Sequence, residues 1–300
     1  MTIPRAALVL TAGLGTRLRP LTDVRAKPAI PVAGEAMIRR IIGWLTRNGV
    51  RDIVLNLHHL PETISGAVGD GSDLSARVRY SWEPRILGSA GGPRQALPLV
   101  AADPFLVVNG DTIADVDLSM LAAAHDRSDA VVTLALVPNR EFHRYGGVLL
   151  DAEGCVTGFV NRGPSAEGSY HYIGVQVVQT AAFDAVPPGE AARSIGGVYD
   201  TLIRQQPGSV RGFLSDAEFW DVGTIEDYWR TSIALARRSD MADLGVGRHC
   251  DVDRSARIAR SILWDDVQVG AEAVIEDCIL TDGVRVEAGA VHRGQILIRS

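Results

Sequence analysis

The stretch TAGLGTRLRPLTDVRAKPAIPV, residues 11–32, follows the apolar run AALVL at residues 6–10. That run empties into Gly13 and Gly15, then Arg17, Arg19, Arg25 and Lys27, and the segment closes with Pro28 and Pro31. Glycine lets backbone amides come close to a ligand, and nearby cations supply counter-charge, so a phosphate chain is the expected guest. Outward from this loop the pattern alternates. AMIRRIIGWLTR (36–47) has helical spacing and stops at Asn48-Gly49, and DIVLNL (52–57) reads as the next buried strand. Further strands are predicted at 78–81, 105–109 and 130–137, with helices after Gly91-Gly92 and at 118–125. Strand and helix in turn predict an α/β fold with a Rossmann-like, doubly wound, mostly parallel sheet. Ligands of such sheets bind beyond the carboxyl ends of the strands, so the 11–20 loop and Gly110-Asp111 are expected to face one crevice.

From residue 147 the character changes. GVLL (147–150), VTGFV (156–160) and YIGVQVV (172–178) predict antiparallel strands with turns at 151–154 and 163–168, an insert expected to form a second wall of the crevice. After a helix predicted at 224–238, SILWDDVQVGAEAV (261–274) realigns with CILTDGVRVEAGAV (278–291), matching at eight of fourteen positions with a period of seventeen. Small and β-branched residues recur about every sixth position. This resembles the hexapeptide repeats of a left-handed parallel β-helix, with about three coils, rather than a meander of strands. The expected domains are 1–238 and 245–300. Trp264, Val267, Val269, Val284 and Val286 are expected to bury surface against the first domain or another subunit, so a homo-oligomer, most simply a dimer, is expected through the repeats.

With 300 residues and 46% hydrophobic residues the chain can bury a real core. A net charge of −6 argues against nucleic acid as the main partner, because no long basic face is available. Cys155, Cys250 and Cys278 lie far apart, a poor disulfide or metal pattern that suits a reducing cytoplasm. The first residues have too short an apolar stretch for an export signal, and no run reaches membrane-spanning length.

The array Gly13, Gly15, Thr16, Arg17, Pro20, Lys27-Pro28 resembles the signature of the sugar-1-phosphate nucleotidyltransferases, the nucleotide-sugar pyrophosphorylases. Ala26 stands where the family's pattern has a first proline. The resemblance continues through EPRILGSAGG (83–92), VVNGDT (107–112), RYGGV (144–148) and FWDVGTIEDY (219–228). With the repeats added, the chain is similar to bacterial mannose-1-phosphate guanylyltransferase-like members.

The resemblance implies that a sugar phosphate oxygen attacks the α-phosphorus of a nucleoside triphosphate and pyrophosphate leaves, with positioning and charge neutralisation as the catalytic means. By the same resemblance Arg17 stabilises the triphosphate and departing pyrophosphate, and Lys27 holds the α-phosphate and attacking phosphate. Asp111 and Asp221 would hold Mg2+, which prefers few carboxylates plus phosphate oxygens; each could instead cap a turn or helix. Asp115 and Asp117 read as solvated loop charges. The nucleotide is implied to lie against Ala12, Gly13, Gly15, Thr16, Glu83, Leu87, Gly88 and Asn109. A carboxylate at Glu83 would pair with the adjacent donors of guanine, favouring GTP, although a surface role and uridine or thymidine nucleotides stay open.

On the sugar side the family's Glu-Lys-Pro is here Asn161-Arg162-Gly163, and its N-A-G is Tyr172-Ile173-Gly174. Arg162 can clamp a phosphate, Asn161 keeps a hydrogen bond, His171 or Tyr172 can replace the missing asparagine, and Gly147 would let the sugar approach the backbone. Mannose 1-phosphate is the first expectation; glucose, heptose and N-acetylmuramate 1-phosphates stay open. So does a regulatory subunit that binds a nucleotide sugar without turnover, against which Arg17, Lys27, Asp111 and Asp221 together argue.

Overall fold

The structure, a computed structural model, describes residues 3–238 and 245–299; residues 1, 2 and 300 of the two expected domains lie outside the described residues. The chain forms two compact units, one of Met1–Gly13, Ile41–Pro61 and Val68–Trp220, the other of Leu14–Arg40, Glu62–Ala67 and Asp221–Ser300.

The first unit is built on one mixed sheet. Ala6–Leu10 lies between Asp52–Leu57 and Phe105–Asn109, all parallel, and Arg77–Trp82 extends the parallel run at the edge. Leu8 is in register with Val54 on one side and Val107 on the other. The three inner strands carry no polar face because both sheet faces are covered there, and Leu8, Val54, Phe105, Val107, Phe183 and Tyr199 share one core. The 147–178 insert is antiparallel as its turns imply, but it joins this same sheet: Tyr170–Val178 pairs antiparallel with Phe105–Asn109 and with Val132–Pro138. Val175, Val177 and Val178 are buried, and only a central position hides them on both faces. The register slips between Tyr172 and Gln176, where Gly174 takes a φ of 78° and the Asn109 side chain fills the space a Cβ would need.

The second unit joins the glycine- and arginine-rich segment to the repeats. Three short turns of 3-10 helix, Thr16–Leu18, Leu21–Asp23 and Lys27–Ala29, precede the start of the Met37–Arg47 helix. Ile225–Arg238 is the helix predicted from residue 224. The repeats form three parallel sheets in which Asp251, Gln268 and Arg285, then Arg257, Val274 and Val291, then Ile262, Ile279 and Ile296, stand in register. Each step is seventeen residues, the period of the sequence repeat. Val267, Val269, Val284 and Val286 pack with Leu263, Ile275 and Leu280 inside the coils, which corrects the expectation that these valines supply an outer contact face. Coils stacked in register have an interior of their own, and branched side chains fill it. Among the described residues no helix is long and apolar enough to cross a membrane.

Candidate active site

In the first unit a buried polar relay crosses the carboxyl ends of three parallel strands. The Thr11 amide donates to Asn56 Oδ1 at 2.7 Å and the Thr11 hydroxyl donates to the Asn56 carbonyl. Asn56 Nδ2 donates to Glu83 Oε1 at 2.7 Å, and the Leu87 amide donates to Glu83 Oε2 at 2.8 Å. Glu83 is 0% exposed. Its two oxygens therefore brace the turn into the Gly88–Val100 helix, each already accepting one hydrogen bond from within the chain. Leu87 is itself buried, and at Gly88 the space beside the backbone is taken by the Ala192 carbonyl. Sequence reading missed Asn56, whose signal was a lone amide in an otherwise apolar strand.

Asp111 follows a glycine that the packing demands. A Cβ on Gly110 would lie 2.5 Å from the Leu10 carbonyl oxygen and 2.9 Å from Thr11 Cγ2, and the Gly110 amide donates to that carbonyl at 2.9 Å. The two strand ends are thus drawn together, fixing Asn109 and Asp111 on either side. Asp117 is more than a solvated charge: it caps the Leu118–Asp126 helix by accepting from the Ser119 and Met120 amides, and hydrogen bonds from Ser119 and Met120 hold its carboxyl below the usual range. The neighbouring Tyr172 hydroxyl is buried and has no hydrogen-bond partner among the described residues. Burial raises its pKa well above the phenol value, and the Tyr199 and Asp111 charges add to this. His171 stacks on Tyr145 with ring centroids 4.1 Å apart, and burial first, then Arg144, lowers it to about 4, so it is neutral near pH 7.

Gly147 is buried, and a Cβ there would collide with Ser169. Packing against Ser169 is thus by itself a reason for glycine here. Asn161 and Arg162 are exposed beyond the Val156–Val160 strand.

In the second unit Gly15 has a φ of 62°, and a Cβ would lie 2.7 Å from Thr22 Cγ2 and 3.1 Å from Lys27 Cβ. Only glycine satisfies both the left-handed backbone and this packing. Thr22 donates to the Gly15 carbonyl at 3.0 Å, tying the turn to the segment that carries Lys27, which is 7% exposed. Thr16 and Arg17 are exposed. Arg17 and Asp221 are brought together around Gly223: a methyl group there would lie 3.1 Å from Asp221 Oδ2, 3.2 Å from Asp227 Oδ2 and 3.4 Å from Arg17 Nη1. Asp227 was not anticipated, though it lies in the same FWDVGTIEDY segment. In the first unit Ala12 is buried and Gly13 exposed, with open space beside its Cα.

Asp221 and Asp227 offer hard carboxylate oxygens, as does Asp111, and this donor type fits magnesium completed by phosphate oxygens and water. Among the described residues no three His, Cys, Asp or Glu side chains are grouped to hold a metal by themselves.

Comparison with known proteins accounts for both parts of the chain. Residues 6–238 match the nucleotidyl transferase family, and residues 237–294 match the GlmU-like C-terminal hexapeptide family, the repeat of the left-handed β-helix. The chain is 30% identical over 295 residues to mannose-1-phosphate guanylyltransferase of Mycobacterium tuberculosis, covering 95% of this chain and 82% of that protein. It is 35% identical over 225 residues to N-acetylmuramate alpha-1-phosphate uridylyltransferase of Neisseria meningitidis, covering 73% of this chain and 93% of that one. The crystal structure of HddC from Yersinia pseudotuberculosis superposes with a TM-score of 0.66 at 22% identity, over 77% of this chain and 99% of that one, a likeness of fold. The chain belongs to the nucleotidyl transferase family and, within it, to the sugar-1-phosphate nucleotidyltransferases with a C-terminal left-handed β-helix.

Proposed function

We propose that the protein transfers a guanylyl group from GTP to mannose 1-phosphate, giving GDP-mannose and pyrophosphate. The observation that carries the site is the meeting of Arg17 with the Asp221 and Asp227 carboxylates around Gly223, one cation and two oxygen donors within 3.1–3.4 Å of the place a methyl group would take. The similarity to the mycobacterial guanylyltransferase, which extends through the repeats, supports the choice of substrates.

In this reading an oxygen of the sugar phosphate attacks the α-phosphorus, the α–β bridging P–O bond breaks, and its electron pair leaves with pyrophosphate. Lys27 holds the α-phosphate and the attacking phosphate against their mutual repulsion. Arg17 neutralises the triphosphate and then the leaving pyrophosphate. Asp111 and Asp221 would hold Mg2+, which when bound supplies further charge neutralisation on the phosphates. The nucleotide would be read by the backbone at Ala12, Gly13, Gly15, Thr16, Leu87 and Gly88 and by Asn109. The Tyr172 hydroxyl is assigned to the sugar phosphate, with Asn161 and Arg162. The catalytic domain would be 1–238 and the β-helix 245–300, assembling a homo-dimer through the repeats in a reducing cytoplasm. The three free cysteines agree with that compartment.

The test is pyrophosphate release with Mg2+ over a panel of GTP, UTP, dTTP and ATP against mannose, glucose, heptose and N-acetylmuramate 1-phosphates. Preference for GTP with mannose 1-phosphate is expected. A clear preference for another pair would replace the substrates and keep the reaction, and no turnover with any pair would favour a regulatory subunit.

A further inference from the structure

Arg25 stands two residues before Lys27, and its side chain is only 15% exposed. Its guanidinium is gripped by the repeats. Arg25 Nε and Nη2 donate to the two oxygens of Asp282 at 2.6 and 2.7 Å, Nη2 also donates to Asp265 Oδ2 at 2.8 Å, and the group lies 5.5 Å from the Trp264 ring centroid. Asp265 and Asp282 are seventeen residues apart, equivalent positions of adjacent coils. Both are held in turn: the Arg248 amide donates to Asp265 Oδ1 at 2.7 Å, and the Asp265 amide donates to Asp282 Oδ1 at 3.1 Å.

The far side of the same segment is fixed as well. Trp264 is wholly buried; its Nε1 donates to the Tyr228 hydroxyl at 3.0 Å, and Tyr228 donates to the Pro31 carbonyl at 2.7 Å. Lys27 is thus carried on a short span whose two ends are both tied to the first coils, directly at Arg25 and through Tyr228 at Pro31. Such a double tie is more than burial needs. A forked guanidinium between two carboxylates fixes direction as well as distance.

We propose that Asp265 and Asp282 are positioning residues for nucleotidyl transfer: with Trp264 they hold the Arg25–Pro31 segment so that Lys27 is set for its phosphates. This rests on the reading of Lys27 given above. The β-helix then has a task inside each subunit, separate from assembly, and removing residues 245–300 costs activity even where the monomer folds. Burial raises the Asp282 carboxyl above its usual range despite Arg25, whereas for Asp265 burial is outweighed by the hydrogen bonds of Arg25 and Arg248, a second cation that Asp282 lacks, and its carboxyl is held low.

The experiment compares four full-length variants with the native chain: Asp265→Asn/Asp282→Asn; the triple Arg25→Met/Asp265→Asn/Asp282→Asn; Asp277→Asn; and Lys27→Ala. Asp277 bonds the exposed Arg260 at 2.7 Å through each oxygen, so its variant loses the same kind of charge without touching the loop. Readouts are kcat and KM for each substrate, thermal midpoint, and amide hydrogen exchange of the peptide spanning residues 24–31. The double variant is expected to lose about tenfold or more in kcat, with faster exchange in 24–31, since small misplacements of a reacting group are costly. The triple variant removes the buried cation too, so it recovers stability but not kcat; Asp277→Asn matches the native protein. Native kcat and exchange in the double variant, or full recovery of kcat in the triple, overturns the proposal. Native turnover in Lys27→Ala overturns the reading of Lys27 instead, and the exchange of 24–31 then decides by itself whether the coils hold the loop.

Discussion

The loop from Gly15 to Pro31 and the turn region from Arg144 to Gly174 are assigned to the two halves of one reaction, and they are built on different terms. In the loop the unusual features have internal reasons: Gly15 yields to Thr22 and Lys27, Arg25 sits in a fork of carboxylates, and the Pro31 carbonyl meets Tyr228. In the turn region Ser169 accounts for Gly147, but the Tyr172 hydroxyl is buried without a partner among the described residues, and Arg162 lies in an exposed segment. A buried unmatched hydroxyl costs about 1–3 kcal/mol, so its retention needs a reason outside the resting chain. The contrast teaches that the segment carrying Lys27, assigned to the triphosphate side, is fixed by the fold, whereas groups assigned to the sugar 1-phosphate are left for that substrate to complete.

The comparison is tested most severely at the fixed end. Lys27→Ala, Arg17→Ala and Asp111→Asn are each expected to lower kcat by about a hundredfold or more while leaving a folded protein, the scale of lost charge stabilisation. Pyrophosphate release at saturating Mg2+ and substrates measures this; near-native rates in all three would abolish the distinction between the regions. At the open end, Tyr172→Phe is expected to raise KM for the sugar 1-phosphate about tenfold, leave KM for the triphosphate unchanged, and keep or raise the thermal midpoint, because the hydroxyl has no internal partner to lose. A fall in midpoint with both KM values unchanged would make Tyr172 part of the packed sheet.

Glu83→Gln should do the reverse. It sets an amide against the Asn56 and Leu87 donors, so a loss of about 2–3 kcal/mol in denaturant unfolding is expected with no change in preference among triphosphates. A switched base preference at native stability would return Glu83 to the nucleotide. The smallest effect concerns acid. His171 in the folded chain titrates at about 4, below the ordinary 6.5, so the unfolded chain binds the proton first. Its contribution is complete above pH 6.5 and is lost as pH falls toward 4. Urea midpoints of His171→Phe should therefore fall less than the native values across that window, and parallel curves would show that His171 contributes nothing to the acid sensitivity.

Strand positions are readable because the inner parallel strands are short, almost fully buried apolar runs: the spans 52–57 and 105–109 agree with the structure. The 11–32 segment stands out for a related reason, since its glycines and cations crowd together. Asn56 was hidden because one polar residue in a strand has no period to disturb. Asp117 was taken for solvent charge although Ser119 and Met120 behind it offered amides to cap. The internal ties of Glu83 were hidden because sequence gives the acid and not its partners, which lie 27 residues earlier and 4 later. The Arg25 fork was out of reach altogether, for its partners lie 240 and 257 residues away.

The seventeen-residue step of the coils has one more consequence, for how the chain could change in length. Adjacent parallel strands lie about 4.8 Å apart, so equivalent carboxylates on neighbouring coils recur at a spacing that one guanidinium can bridge. The solenoid thus acts as a graduated scale, and Asp265 and Asp282 are two of its marks. A whole coil added after Asp282 extends the scale and leaves both marks in phase. An insertion of a few residues between them shifts the second out of register with the first, and Arg25 is left holding one carboxylate.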